Sequence, residues 1–345
     1  MTRAKIASEA VSRSLLHSRQ WVMAWLAGSI LLVAVGFLSD GYAQSMIREA
    51  LVLGLFAMSL DFLWSRTGIL SFGHAAFFGI GGYTMSVLEV RFHWTALQAL
   101  PAAIGAAVLA ATVFGYFLFY GKVRGTYFTL MTMALTLVCQ QTAISWASVT
   151  GGDSGLINVP GLRFDGGFDL SGDEYSYFFV AAATIAISWI LRKISCSRYG
   201  LILQIIQDHE TRAAALGYDT NLYLLSAFVC SAFVAGLAGV LYVSTTGIVA
   251  PDLIGLQFST EVIVWVAVGG MGSLLGPILG ALLVHYAQQR VSSWNPSAWP
   301  MLLGIGFVVL VFALPNGMFS LWRRIRGFAA VISKADAQSS RGSNE

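Results

Sequence analysis

Nine long apolar runs divide this sequence, at residues 21–39, 46–64, 68–90, 97–120, 126–148, 176–191, 222–245, 258–288 and 301–321. A run of about 20 residues, rising 1.5 Å per residue, matches the roughly 30 Å hydrocarbon core of a bilayer. Lipid offers the backbone no hydrogen-bond partner, so such runs must close their own bonds as helices. The expected fold is therefore an all-α, polytopic membrane bundle. Composition agrees, because only 11% of residues are charged while 57% are hydrophobic, against about 25% charged in soluble domains. An ordinary soluble enzyme and a disordered chain are both excluded. The first run is too long for a typical signal-peptide core and lacks a persuasive A-x-A cleavage site, so it is expected to stay as a span.

Charge placement orients the spans. Basic residues gather at Arg3, Lys5, Arg13 and Arg19, at Lys122 and Arg124, at Arg192, Lys193 and Arg198, and at Arg323, Arg324 and Arg326. These are the expected cytoplasmic ends. Acid gathers in residues 150–175, at Asp153, Asp165, Asp169, Asp173 and Glu174, a loop therefore placed outside. Nine simple crossings would put the termini on opposite faces, whereas the basic residues put both in the cytoplasm, so one run does not cross. Run 258–288 is interrupted by Gly269-Gly270-Met271-Gly272-Ser273 and then Gly276-Pro277. Glycine breaks a helix and proline suits the first turn of a new one, which predicts a re-entrant hairpin and about eight full crossings. The chain then divides into a basic cytoplasmic segment 1–20, a transmembrane domain 21–322 with an inner loop 192–221 and an outer loop 149–175, and a polar cytoplasmic tail 323–345. No nucleic-acid patch is visible. Cys139, Cys196 and Cys230 form no CxxC pair, so neither a zinc site nor a disulfide framework is indicated.

A second interruption spans Thr67 to Tyr83, through Ser71-Phe72-Gly73-His74. Two glycine-broken apolar segments, one in each half of the chain, are the pattern that marks a substrate path in repeat-built transporters. Ser71, Gly73, His74, Gly270 and Ser273 are the candidate path residues. Close helix packing by small residues explains the same glycines equally well, since Gly272, Gly276 and Gly280 form a small-xxx-small ladder. For His74, a neutral hydrogen-bonding role between helices is favoured over proton chemistry, as no acidic residue stands near it in its span. Asp61 is expected to pair with Arg66, and Arg48, Glu49, Glu261 and His285 are expected to be solvated near span ends.

Residues 204–217 of the inner loop read as a short amphipathic helix, with apolar residues at 202, 205, 206, 213 and 216, His209 on the same stripe, and Gly217 as its cap. Its polar face carries Gln204, Gln207, Asp208 and Glu210 in place of the Lys and Arg of a helix lying on lipid headgroups, which favours docking to a protein. The pattern Glu210-x-x-Ala213-Ala214-x-x-Gly217 resembles the coupling loop of ABC importer permeases. Four further stretches resemble the LivM-like permease subunit of branched-chain amino-acid ABC transporters: Thr67 to Tyr83, Arg124-Gly125-Thr126-Tyr127-Phe128, Thr150-Gly151-Gly152-Asp153-Ser154-Gly155, and Gly269 to Gly280. The closing Leu314-Pro315-Asn316-Gly317 fits too. Family members commonly carry arginines in the coupling loop and a lysine shortly after, where this chain has Leu201, Gln204, Gln207 and Leu224.

The resemblance implies a multi-pass subunit of a bacterial cytoplasmic (inner) membrane, a sister permease, two ATP-binding cassette subunits, and an extracytoplasmic binding protein that delivers a branched-chain or related amino acid. Close relatives carry urea or short amides. Glu210, Ala213, Ala214 and Gly217 would couple the chain to an ATPase. The chain has no Gly-x-x-x-x-Gly-Lys-Ser/Thr loop, so ATP is expected on the partner subunits and no cofactor on this one. Two rivals are weaker. An ion-coupled secondary transporter would place partnered charges in mid-span, and an intramembrane enzyme would need a nucleophile facing a base, or a metal cluster.

Overall fold

A helix apolar on every side belongs at the centre of a bundle. The computed structural model describes residues 25, 28–30, 32–37, 40–161, 163–164, 168–169, 173–295 and 298–313. In it, α1 (Gly41–Thr67) is that centre, with every residue from Ala50 to Leu63 buried. The helices that follow it are α2 (His74–Val90), α3 (Ala96–Tyr120), α4 (Thr126–Ser145), α5 (Asp173–Cys196), α6 (Arg198–Asp208), α7 (Glu210–Ala215), α8 (Thr220–Thr246), α9 (Leu256–Gly269), α10 (Gly276–Trp294) and α11 (Ala298–Ala313), besides a single turn at Ala147–Thr150. Against α1 pack α5, α8, α9 and α10, while α2, α3 and α8 form a second packed group that shares α8. The segments 1–20 and 323–345, and Asp165, lie outside the described residues.

The all-α membrane bundle is thus what forms. Among the described residues, four helices are long and apolar enough to cross a bilayer by length and composition: Ala96–Tyr120, Thr126–Ser145, Tyr175–Cys196 and Thr220–Thr246. The other apolar runs divide differently for physical reasons. Arg48, Glu49, Asp61 and Arg66 interrupt the apolar content of the 27-residue α1. The 17-residue α2 starts only after an unwound stretch, residues 68–73.

Close backbone contact holds α2 to α8. A Cβ on Gly239 would stand 1.9 Å from the Phe78 carbonyl oxygen, and one on Gly81 2.4 Å from that of Gly236. Only glycine lets two helices approach so far, the small-residue packing familiar in membranes.

Run 258–288 forms the expected hairpin. α9 and α10 pack side by side, and a Cβ on Gly269 would meet the Gly276 oxygen at 2.0 Å. Asp61 touches the turn between them from its place six residues before the end of α1, so the turn stops about 9 Å short of that end. α10 then returns to the start of α1, where His285 and Gln289 lie near Glu49 and Tyr42. At that same end of the bundle two short antiparallel pairs form: β1 (Leu156–Ile157) with β4 (Ile248–Val249), in the register Leu156 to Val249, and β2 (Arg163–Phe164) with β3 (Phe168–Asp169). The glycines of the 150–155 stretch permit this, because Gly155 has φ +70° and a Cβ there would lie 2.0 Å from the Val249 oxygen. The opposite, basic end carries the 192–221 loop.

Candidate functional site

Backbone that leaves a helix inside an apolar bundle must find partners for its free amides and carbonyls. The stretch 68–73 finds them on one stripe of α4. The Leu70 carbonyl accepts from Thr129 Oγ1 at 3.1 Å, the Phe72 amide donates to Thr132 Oγ1 at 3.2 Å, and the Phe72 carbonyl accepts from Thr136 Oγ1 at 2.8 Å. Ser259 Oγ of α9 donates to the same Phe72 carbonyl at 2.7 Å, joining the two interrupted segments directly. The Thr-x-x-Thr-x-x-x-Thr spacing of 129, 132 and 136 places three hydroxyls on one helix face and was the signal to read.

Asp61 organises the second interruption. Its Oδ1 accepts from the Gly272 amide at 2.7 Å and its Oδ2 from the Leu274 amide at 3.3 Å, with the side chain fully buried. The expected pairing with Arg66 gives way to this one, since a buried carboxylate needs donors of fixed geometry. Ser273 Oγ completes the turn by donating to the Gly270 carbonyl at 3.1 Å and accepting from the Gly276 amide at 2.8 Å. Gly270 and Gly272 have φ of +95° and +78°, which the sequence anticipated by using glycine there.

His74 opens α2. Its Nε2 lies 2.5 Å from Ser231 Oγ, and Ser231 Oγ donates its one proton to the Ser59 carbonyl at 2.6 Å. Nε2 must then be the donor to Ser231, which assigns the neutral Nε2–H tautomer and leaves Nδ1 as an unpaired acceptor. The geometry fits the favoured bonding role. A His74→Gln change is therefore expected to keep uptake within about twofold, as the amide can also donate, whereas His74→Leu strands Ser231 and should lower stability by about 1–2 kcal/mol. Thermal unfolding in detergent and uptake at several pH values check this; a severe loss in the glutamine variant would instead indicate proton exchange.

Ser71, Gly73, His74 and Gly270 are all buried, and Ser273 half-buried. Their partners lie within the chain, and the cavities lie elsewhere. One of about 400 Å³ is lined by Gln140, Asp252, Gln257 and Glu261, at the mouth of the hairpin. Another, about 320 Å³, is lined by Tyr42, Ser45, Arg48, Glu49, Thr245 and Gln289. Arg48, Glu261 and His285, expected in solvent, are buried. Packing of α11 explains Glu261, whose Oε1 accepts from the Trp299 indole at 3.3 Å. Arg48 donates to Ser176 Oγ, and His285 Nε2 stands 3.8 Å from Glu49 Oε2.

At the basic end, residues 198–215 form two helices where one was expected. Extended backbone at His209 (φ −154°, ψ 90°) breaks them, and His209 and Leu216 leave the buried stripe for solvent. Leu203, Ile206 and Ala213 face the bundle. Ala213, expected at the closest approach to a partner, has its side chain wholly buried against the bundle, whereas Ala214, Leu216, Gly217 and Tyr218 are exposed, beside Thr211, Arg212, Ala215 and Asp219. Gly217 has φ +90°, the left-handed cap conformation anticipated. Glu210 turns inward to Arg124, whose guanidinium holds its carboxyl below the usual carboxylate range against the opposing effect of partial burial.

A bundle of long apolar helices with two glycine-broken interruptions bonded inside it defines an all-α, multi-pass membrane protein. The chain belongs to the family described as branched-chain amino acid transport system / permease component, whose model matches residues 42–314. It is similar to the high-affinity branched-chain amino acid transport system permease protein LivM of Salmonella typhimurium, 23% identical over 91% of this chain and 78% of that one. LivH of the same organism is 23% identical over 76% of this chain and 90% of its own length. The ribose import permease RbsC of Haemophilus influenzae is 22% identical over 89% of this chain and 94% of that protein. The chain is thus a LivM-like, multi-pass inner-membrane permease.

Proposed function

We propose that this chain is one of two homologous permeases in an ABC importer that translocates branched-chain or related amino acids. The similarity to LivM and LivH of one organism supports pairing with a sister permease. A face of α4 suits that sister: Leu137, Val138, Gln141, Thr142 and Ser145 are exposed together on it, and amide side chains face a protein or a watery path more readily than lipid. The basic end faces the cytoplasm, both termini lie there, and two ATPase subunits bind ATP below it. An extracytoplasmic binding protein docks at the opposite end, whose polar cavities would receive the released substrate. The ribose permease shows that the family extends past amino acids, so urea, short amides or sugars are the alternative cargo.

One observation carries this reading: Ala214 and Leu216 (67% exposed) project from a segment anchored from behind, with Tyr218 exposed beside them and its ring held edge-on against Tyr223. The test is co-purification of the ATPase with Ala214→Trp and Gly217→Val variants. A bulky group at a close contact costs about 1–3 kcal/mol, so ATPase retention should fall roughly tenfold or more. The β-branched residue strains the φ of 217 although space around it is open. Wild-type retention and substrate-stimulated hydrolysis in both variants would show that the segment is only a surface helix.

A further inference from the structure

Arg124 and Glu210 stand in two separate stretches of sequence, and the fold joins them. Arg124 Nε lies 3.1 Å from both Glu210 oxygens, and its Nη2 lies 2.8 Å from Oε1 and 2.6 Å from Asn221 Oδ1. Thr220 Oγ1 adds a donor to the same Oε1 at 3.2 Å. On its other side Arg124 Nη1 donates to the Phe119 and Val123 carbonyls at 3.4 and 3.3 Å, and the guanidinium sits over the Phe119 ring at 5.5 Å. One side chain thus ties the end of α3 and the start of α4 to α7 and to the first turn of α8.

A half-exposed ion pair adds little stability by itself. A bidentate pair shared among four elements does fix their relative position. Arg124 precedes α4 by two residues, with Gly125 between them at φ +59°, a backbone conformation that favours glycine. Beside it lies a cavity of about 140 Å³ lined by Gly68, Ile69, Leu70, Gly125 and Phe128 together with Arg124 itself, which gives the first turn of α4 room to move. From that turn Thr129 bonds the Leu70 carbonyl, so a shift of α4 reaches the unwound stretch. The Gln207 side chain of α6 lies against Gly68 from the same side, within 3.2 Å of where a Cβ would stand.

We propose that the Arg124–Glu210 pair is the positioning link that carries movement of the 198–217 segment into α4 and the unwound stretch 68–73, with Glu210 acting inside this chain and not as an ATPase contact. The proposal rests on the ABC-importer reading above. It makes Glu210 a strut behind the docking surface formed by Ala214, Leu216 and Tyr218.

The experiment uses the complete transporter with its ATPases in proteoliposomes and reads substrate taken up per ATP hydrolysed. Arg124→Ala should lower that ratio roughly tenfold, within the range of ordinary coupling energies, while the ATPase stays bound. Glu210→Arg and Arg124→Glu should each do the same. The charge-swapped double variant should recover part of the loss of either single change, since it restores the ion pair but not the bonds of Arg124 to Asn221 and to the Phe119 and Val123 carbonyls. Arg124→Lys, which keeps the charge and loses the bidentate fork, should fall between. Normal coupling in Arg124→Ala would overturn the proposal. So would loss of the ATPase from Glu210→Arg and from the double variant alike, which would make Glu210 a direct contact. If the unaltered chain retains no ATPase, the importer reading itself fails, and that outcome is read from the wild-type lane alone.

Discussion

Replacing Asp61 with alanine should unseat the turn of the α9–α10 hairpin. The carboxylate is the acceptor for two amides, those of Gly272 and Leu274, in a fully buried position. Deleting it strands the buried Leu274 amide, at about 1–3 kcal/mol, and takes the acceptor from the half-buried Gly272 amide at a smaller cost, so a loss of about 2–4 kcal/mol is expected. Asp61→Asn keeps one acceptor oxygen and should lose about half as much, because a single amide is left unpaired. Thermal unfolding in detergent measures both, alongside uptake in vesicles. Leu274 sharpens the expectation, since its φ of +57° is strained for a side-chain-bearing residue and is held in place by the bond to Asp61. An Asp61→Ala protein that melts and transports like the wild type would show that the turn holds itself.

The second large effect is expected at the seam between α2 and α8. A Gly239→Ala methyl would begin 1.9 Å from the Phe78 oxygen, a backbone atom that no rotamer change can remove. The helices must then separate, and overpacking of this kind costs about 1–3 kcal/mol for a small group and more for Gly239→Val. Gly105, in α3, provides the control: nothing lies within 4 Å of its Cβ position, so alanine there should be neutral or stabilising by up to about 1 kcal/mol. The monodisperse fraction after detergent extraction and the melting temperature distinguish them. Equal behaviour of Gly239→Ala and Gly105→Ala would contradict the close approach of the two helices.

Much of this architecture is legible in the sequence because a bilayer leaves few options. Apolar runs of span length gave the helices, and Gly269 to Pro277 gave the hairpin turn, since glycine and proline act through local backbone conformation. What escaped was partnership across long separations. Asp61 bonds a turn 211 residues later, so its nearest cation, Arg66, looked like the better partner. Glu261 and His285 stand near the two ends of the apolar run 258–288, which suggests water, until α11 and α1 cover them. The break at His209 left no signal in an apolar spacing that stays helical on both sides, and it put His209 and Leu216 in solvent while Ile206 and Ala213 stayed buried. The threonine stripe on α4 was readable by its spacing, but hydroxyls in membrane helices commonly bond their own preceding turn, as Thr142 does to Val138, and spacing alone does not separate the two uses.

The most direct measurement is uptake of labelled leucine by the complete complex, with its sister permease, ATPases and binding protein, in proteoliposomes. Uptake should require ATP and the binding protein together, stop when the ATPase is inactivated, and be indifferent to an imposed ion gradient. Leucine accumulation that persists without the ATPases and follows a sodium or proton gradient would contradict an ABC permease and make the chain a secondary transporter.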